Sequence, residues 1–147
     1  MNVLVTDAGF APDDWAAGFD TVEALGDPAR EGIALALEAD LLPEALAGLV
    51  PEFDRIALIR IPFASFADGR GFTLARHLRL LGYQGRLRAA GHVIADQYGM
   101  ARRSGFDEVE IDPGLAARQP EAQWRARADW RAFDYRARLG AQQVAVV

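Results

Sequence analysis

The sequence has no cysteine and no lysine, only two histidines, and no apolar run of membrane-spanning length. Without cysteine there is no disulfide, no thiol nucleophile, no thiolate-held iron–sulfur cluster and no cysteine-based zinc site. Redox chemistry would then need a borrowed cofactor or a partner, and no cofactor fingerprint is readable. The two histidines, His77 and His92, form neither an HxH nor an HExxH spacing, so no metal site is expected. No stretch is long and apolar enough for a spanning helix, and Met1–Phe10 has no basic region ahead of an apolar segment. The expected location is cytoplasmic. With lysine absent, every fixed cation is an arginine, which suits bidentate anion contacts, although codon composition is explanation enough.

What is present describes one soluble α/β domain of 147 residues, half apolar and a quarter charged. The net charge of −5 hides an asymmetry. Residues 1–54 carry twelve carboxylates against Arg30 alone, a balance of −11, whereas residues 55–147 carry fifteen arginines against nine carboxylates, +6. The two halves are expected to neutralise each other across the fold or across a dimer. A nucleic-acid surface is disfavoured, because the arginines are interleaved with acids and the pI is near 5.0.

Along the chain, NVLVT reads as a strand and DAGFAPDD as a turn, with Trp15 an apolar anchor beyond it. Residues 1–32 are therefore an N-terminal hairpin or arm with a linker. Residues 33–147 are β/α units with a C-terminal helix. Ile33–Glu38 is the first parallel strand, and Pro43 opens a short helix. Arg55–Ile61 is a β-branched second strand. A loop dense in Gly, Asp and Arg leads to the helix FTLARHLRLL, with Thr73 as its N-cap. LRAAG is a third strand, GHVIADQYGMARRSG a helix and FDEVEI a fourth strand. Asp112-Pro113-Gly114 reads as a turn. Gln119–Leu139 is the longest helical pattern, with Trp124, Ala128, Tyr135 and Leu139 near one face. GAQQVAVV is a tail or a late edge strand.

Strand alternation puts Ile56, Leu58 and Arg60 on one face, and Ala57, Ile59 and Ile61 on the other. Arg88, Glu108 and Glu110 likewise interrupt apolar strands. A doubly wound sheet covers both faces with helices and reads as near-continuous apolar runs. Charges late in each strand instead suggest helices on one face and a polar, curved inner face. About four β/α units in succession resemble half of a (β/α)₈ barrel. The alternative is an open, flavodoxin-like sheet with a few paired charges.

Parallel sheets place ligands beyond the carboxyl ends of their strands, where two groups fall. In Asp68-Gly69-Arg70-Gly71, the glycines let the backbone turn and approach a ligand, and Arg70 offers a donor fork to an oxyanion. The spacing matches no phosphate loop. The competing account is an Asp–Arg pair that staples the loop. In the second group, Arg88 ends a strand and Gln97 follows a helix start. His92 and Asp96 are four apart there, within reach for acid–base work. Helix-dipole electrostatics alone would also explain Asp96.

These stretches carry a resemblance. FADGRGFTLARHLR (66–79), GYQGRLRAAGHVIADQ (82–97) and RRSGF (102–106) are similar to the bacterial "domain of unknown function 934" family. Its run is F-x-D-G-R-G-Y-S-x-A-x-x-L-R, G-x-L-R-A-x-G-x-V-x-x-D-Q and R-x-G-F-D. The likeness is tight over residues 55–111 and looser before, including Asp13-Asp14-Trp15. His92 stands where the family usually has Asp, Ala64-Ser65 where Pro-Lys is common, and Ser104 where Cys is frequent. The resemblance implies a link to assimilatory sulfite reduction, because members are labelled oxidoreductases of that process on gene neighbourhood. The expectation is an accessory protein with an oxyanion cleft of Asp68, Arg70, Arg88 and Gln97. One alternative is a small enzyme using Asp96 or His92 on an anionic metabolite. Another is a non-catalytic partner of sulfite reductase docking through its acidic N-terminal region. A homodimer is expected from the uncovered face of a half barrel and from the aromatic C-terminal helix, the alternative being that the N-terminal arm and C-terminal tail fold back to cover these surfaces within one chain.

Overall fold

The computed structural model describes residues 2–15 and 17–133. The N-terminal hairpin is present: β1 (Val3–Thr6) and β2 (Gly9–Pro12) pair antiparallel across a two-residue turn. Residues 21–32 hold only a 3₁₀ turn, Val22–Gly26, as a Gly- and Pro-broken segment should. Then come β3 (Ile33–Ala36), α1 (Pro43–Ala47), β4 (Ile56–Phe63), α2 (Arg70–Leu80) and β5 (Arg86–Gly91). The described chain continues through α3 (Tyr98–Ser104), β6 (Glu108–Ile111), α4 (Pro113–Arg118) and α5 (Glu121–Arg125).

All six strands join one mixed sheet in the order β2-β1-β6-β5-β4-β3. β3 to β6 run parallel in chain order, and β1 joins β6 antiparallel. This order has no reversal of winding, so the switch point of a flavodoxin-like sheet is absent among the described strands.

The two faces of the sheet differ as the alternation requires. One face carries Val5, Leu35, Ile59, Ile61, Leu87, Ala89, Val109 and Ile111, all fully buried in a single apolar cluster. Leu74, Ala75 and Leu78 of α2, Tyr98 and Ala101 of α3, and Trp124 of α5 belong to that cluster. Each such aliphatic side chain contributes roughly 1.5–3 kcal/mol on burial. Phe63 closes the top of this layer, its ring 4.9 Å from that of Phe72 and 5.9 Å from that of Phe106.

The opposite face is polar. Arg60 lies opposite Arg88, and Arg88 opposite Glu108, in one row across three strands. No described helix covers this face. Residues 13–15 and 17–20 lie there instead: Asp13 and Asp14 pair with Arg88 and Arg86, and Phe19 lies over Arg60 and Arg88. Asp20 then adds to the outer edge of β3, its N–H donating to the Ala34 carbonyl and its carbonyl accepting from Ala36. The inner face expected to lie open is thus strapped by the chain's own arm. Acidic N-terminal residues neutralise basic later ones within one chain, at Asp13, Asp14 and also Asp7, which pairs with Arg102.

Several local expectations are corrected. Asp112-Pro113-Gly114 is a helix start: the Asp112 carboxylate accepts from Leu115 N at 2.7 Å and Pro113 takes the first helical position. Thr73 lies inside α2, which begins three residues earlier at Arg70 with Gly69 as its cap. The helix expected from Gly91 begins with a 3₁₀ turn at Ala95 and becomes α3 at Tyr98. Gly91 has a left-handed φ of 105°, which turns the chain so that His92 N bonds back to the Phe63 carbonyl. The long C-terminal helix is broken: Gln119 and Pro120 separate α4 from α5, and a 3₁₀ turn follows at Trp130–Phe133. Tyr135, Leu139 and the tail 140–147 lie outside the described residues.

Candidate functional site

At the carboxyl ends of β3, β4 and β5 lies a cavity of about 390 Å³. Glu38, Ala39 and Asp40 form one rim, and Arg60, Pro62, Phe63 and Ala64 rise from β4. Asp68 and Arg70 close it from the loop before α2, and Ala90, Gly91 and His92 from β5. Gly91 is required here: besides its positive φ, an added Cβ would stand 2.9 Å from the Phe63 carbonyl oxygen. Gly71 lets the first turn of α2 sit on the Phe63 ring, where a Cβ would come within 2.5 Å, whereas Gly69 faces open space.

The charged groups are locked before any ligand arrives. Arg70 grips Asp68 side-on, Nε to Oδ1 at 3.0 Å and Nη2 to Oδ2 at 2.8 Å, and its backbone N–H also reaches Oδ1. These hydrogen bonds hold the Asp68 carboxyl at about 2, far below the ordinary carboxylate range. Arg60 grips Glu110 in the same side-on way, at 3.2 and 2.9 Å. In both arginines Nη1 makes no hydrogen bond among the described residues. His92 holds Nδ1 3.1 Å from the Phe63 carbonyl oxygen. A carbonyl only accepts, so Nδ1 carries the hydrogen and Nε2 of the neutral ring is an acceptor.

The residues singled out in the sequence divide. Asp68, Gly71, Arg70 and His92 come together around the cleft, with Gly69 in the same loop. Arg88 does not reach it. Its side chain is fully buried on the strapped face, bonded to Glu108 at 2.6 Å and to Glu110 and Asp13 at 3.1 Å, so its donors are already taken. Burial alone would push the Arg88 pKa down, but these carboxylates outweigh it and raise it. Gln97 staples two loops, accepting from Ile94 N and donating to the Phe66 carbonyl. Asp96 points elsewhere: it pairs with Arg127 at 2.7 Å and lines a separate cavity with Arg103 and Trp130. His92 and Asp96, expected to meet, do not share a helix. His77 lies on the far side of Arg70 and lines a neighbouring cavity with Leu41 and Pro43. Sequence reasoning placed Arg60 and Glu38 among the charges late in the strands but missed both as cleft residues, and it missed Phe19 and Asp40 altogether. Arg60's place on the inner face was the available signal for the first.

No group of three or more His, Asp or Glu among the described residues is placed to hold a metal. No described helix is long and apolar enough to cross a membrane. The family model described as "Bacterial protein of unknown function (DUF934)" matches residues 32–144, more than two thirds of the chain. The chain belongs to the DUF934 family. Within this DUF934 protein the matched stretch contains β3 to β6 and every residue of the cleft, while the hairpin and strap precede it. No curated protein and no solved structure matches the chain.

Proposed function

We propose that this protein binds a small oxyanion-bearing metabolite in the cleft at the ends of β3–β5, as a cytoplasmic accessory of assimilatory sulfite reduction. One observation carries the reading: two arginines that line the cleft are each fixed side-on to a carboxylate and keep an Nη1 with no hydrogen-bond partner among the described residues. Donors already oriented lose little freedom on binding. The eleven-residue α2 begins at the same place, where the Asp68 carboxylate already accepts the Arg70 N–H. The cleft volume lies at the small end of ligand sites, ~300–1,000 Å³, and fits a metabolite rather than a nucleotide. The sulfur context rests on the family resemblance alone. Calorimetric titration with sulfite, sulfate, phosphate and acetate tests the reading. Binding that Arg70→Gln weakens about tenfold is expected. Binding indifferent to Arg70, or none by any oxyanion-bearing molecule, bare or zwitterionic, refutes it.

The strap supports a half-barrel shape for the sheet. From β2 to the position of Asp20 outside β3 is six strand spacings, roughly 29 Å at ~4.8 Å each. Eight residue steps from Pro12 to Asp20 reach only about 26–29 Å even when fully extended. The strap must also pass above side chains, so the sheet has to bend towards it. The cleft then sits at the mouth of a concave face.

A second reading, acid–base chemistry on the bound metabolite, is favoured by His92, whose pinned Nδ1 leaves Nε2 as a proton acceptor in the cleft. Long-range ¹H–¹⁵N spectra should show the Nδ1–H tautomer; an Nε2–H ring would remove this reading. Association of two copies is proposed from the aromatic C-terminal segment. Sedimentation at about twice the 16.0 kDa chain mass is expected, and a clean monomer refutes it.

A further inference from the structure

The cleft's own charges pose a problem for a bare anion. Arg70 is cancelled by Asp68, and Arg60 by Glu110. Glu38 and Asp40 stand exposed on the β3 rim of the same cavity, and neither makes a salt bridge or side-chain hydrogen bond among the described residues. Asp40 is near enough to Arg70 to raise its pKa further. The donor edges of Arg60 and Arg70 therefore sit in a local field of net charge −2, which opposes an isolated anion. A metal ion does not resolve this, because the described acids and histidines nowhere converge as three ligands. A positive charge carried by the ligand itself does.

We infer that the ligand is a zwitterion of the amino-acid class: one end a carboxylate or sulfonate for Nη1 of Arg60 and Arg70, the other an ammonium for Glu38 and Asp40. The inference rests on the oxyanion reading of the cleft and adds the second charge. Each half of the lining then has a task. The β4 and α2 side supplies fixed forks, which read the geometry of an oxyanion. The β3 side supplies two acceptor-only groups, which an ammonium with three donors can satisfy. A plain acid of the same shape would fill the first half and leave two carboxylates facing it. An uncharged amine would gain the second half and lose the first. The volume of about 390 Å³ leaves room for a small molecule carrying both ends.

The test is calorimetry on the full chain with the α-amino acids and taurine, each beside its matched acid lacking the amino group, such as propionate for alanine and ethanesulfonate for taurine. The two arms distinguish a carboxylate from a sulfonate at the arginine end. At least one zwitterion should bind tenfold or more tighter than its matched acid. The double variant Glu38→Gln/Asp40→Asn should erase that preference while leaving the melting temperature within about a degree, since both side chains are exposed. Matched acids binding as tightly as the zwitterions, or a preference that survives the double variant, overturns the inference and leaves the oxyanion cleft standing. Binding by neither kind of probe overturns both.

Discussion

Replacing Arg88 with methionine removes the centre of the inner-face network while keeping the length and apolar stem of the side chain. The cost follows from what the partners have left. Glu108 keeps two contacts to Arg86 at 2.8 Å, and Glu110 keeps Arg60 and the Asn2 amide, so neither carboxylate is stranded. Asp13 loses its one arginine partner among the described residues. Breaking a buried pair outright costs about 3–5 kcal/mol, and the surviving partners put this case at the lower end. The expected loss is about 3 kcal/mol at pH 7, roughly 6–12 °C in Tm for a chain of this size. Urea unfolding followed by tryptophan fluorescence measures it.

The loss should depend on pH with a definite sign. Burial would push the Glu110 carboxyl up, but hydrogen bonds from Arg60, Asn2 and Arg88 hold it below its ordinary 4.5. A depressed folded-state pKa stabilises above the unfolded value, and that contribution is lost as pH falls through the folded value. The wild type therefore weakens on acidification below about pH 4.5. The gap to Arg88→Met should narrow there, because a protonated Glu110 no longer needs the arginine. A difference under about 1 kcal/mol at pH 7, or a gap unchanged between pH 7 and pH 3, would show that the network does not hold the strapped face together.

Three smaller predictions accompany it. Gly91→Ala should cost about 1–3 kcal/mol by thermal melting, since it strains a positive φ and crowds the Phe63 carbonyl; a neutral result would mean that the β5 turn relaxes freely. Asp112→Ala should cost about 1 kcal/mol through the lost cap on Leu115 N, and Asp112→Asn much less. Arg70→Lys should leave stability within about 0.5 kcal/mol, because the side chain is 60% exposed, yet lose the fork on Asp68; a larger drop would make the pair a structural staple.

The parallel strands were legible as short apolar runs between turn residues, whereas β2 fell inside the stretch Asp7–Asp14 that reads as a turn, and the rule for parallel sheets pointed to the end of the sheet where the cavity lies. What could not be read was which arginine serves which purpose. Arg60 and Arg88 occupy the same face in adjacent strands, and only register shows that Arg88 has β6 glutamates beside it. Strand alternation gives a face but not a neighbour. An arm folding back over the open face was one of two readings the sequence allowed, but its course across the sheet and the place of Phe19 were out of reach for the same reason: residues 13–20 carry no pattern that says what they cross. The misjudged helix starts have local causes. Asp112 caps α4 through its own carboxylate, the Asp68 carboxylate takes the Arg70 N–H just ahead of α2, and Gly91 turns the chain where helical spacing made His92 and Asp96 look adjacent. In the C-terminal segment Pro120 was a readable stop, outweighed by aromatics at helical spacing on either side of it.

The most direct test of the cleft is amide chemical-shift mapping of the labelled full chain during titration with sulfite. The account predicts shifts confined to Glu38–Asp40, Ala64–Gly71 and Ala90–His92, the three segments that meet at the ends of β3, β4 and β5. Shifts centred instead on Asp96, Arg103 and Arg127, around the separate cavity beside α3, would place the site elsewhere and contradict it.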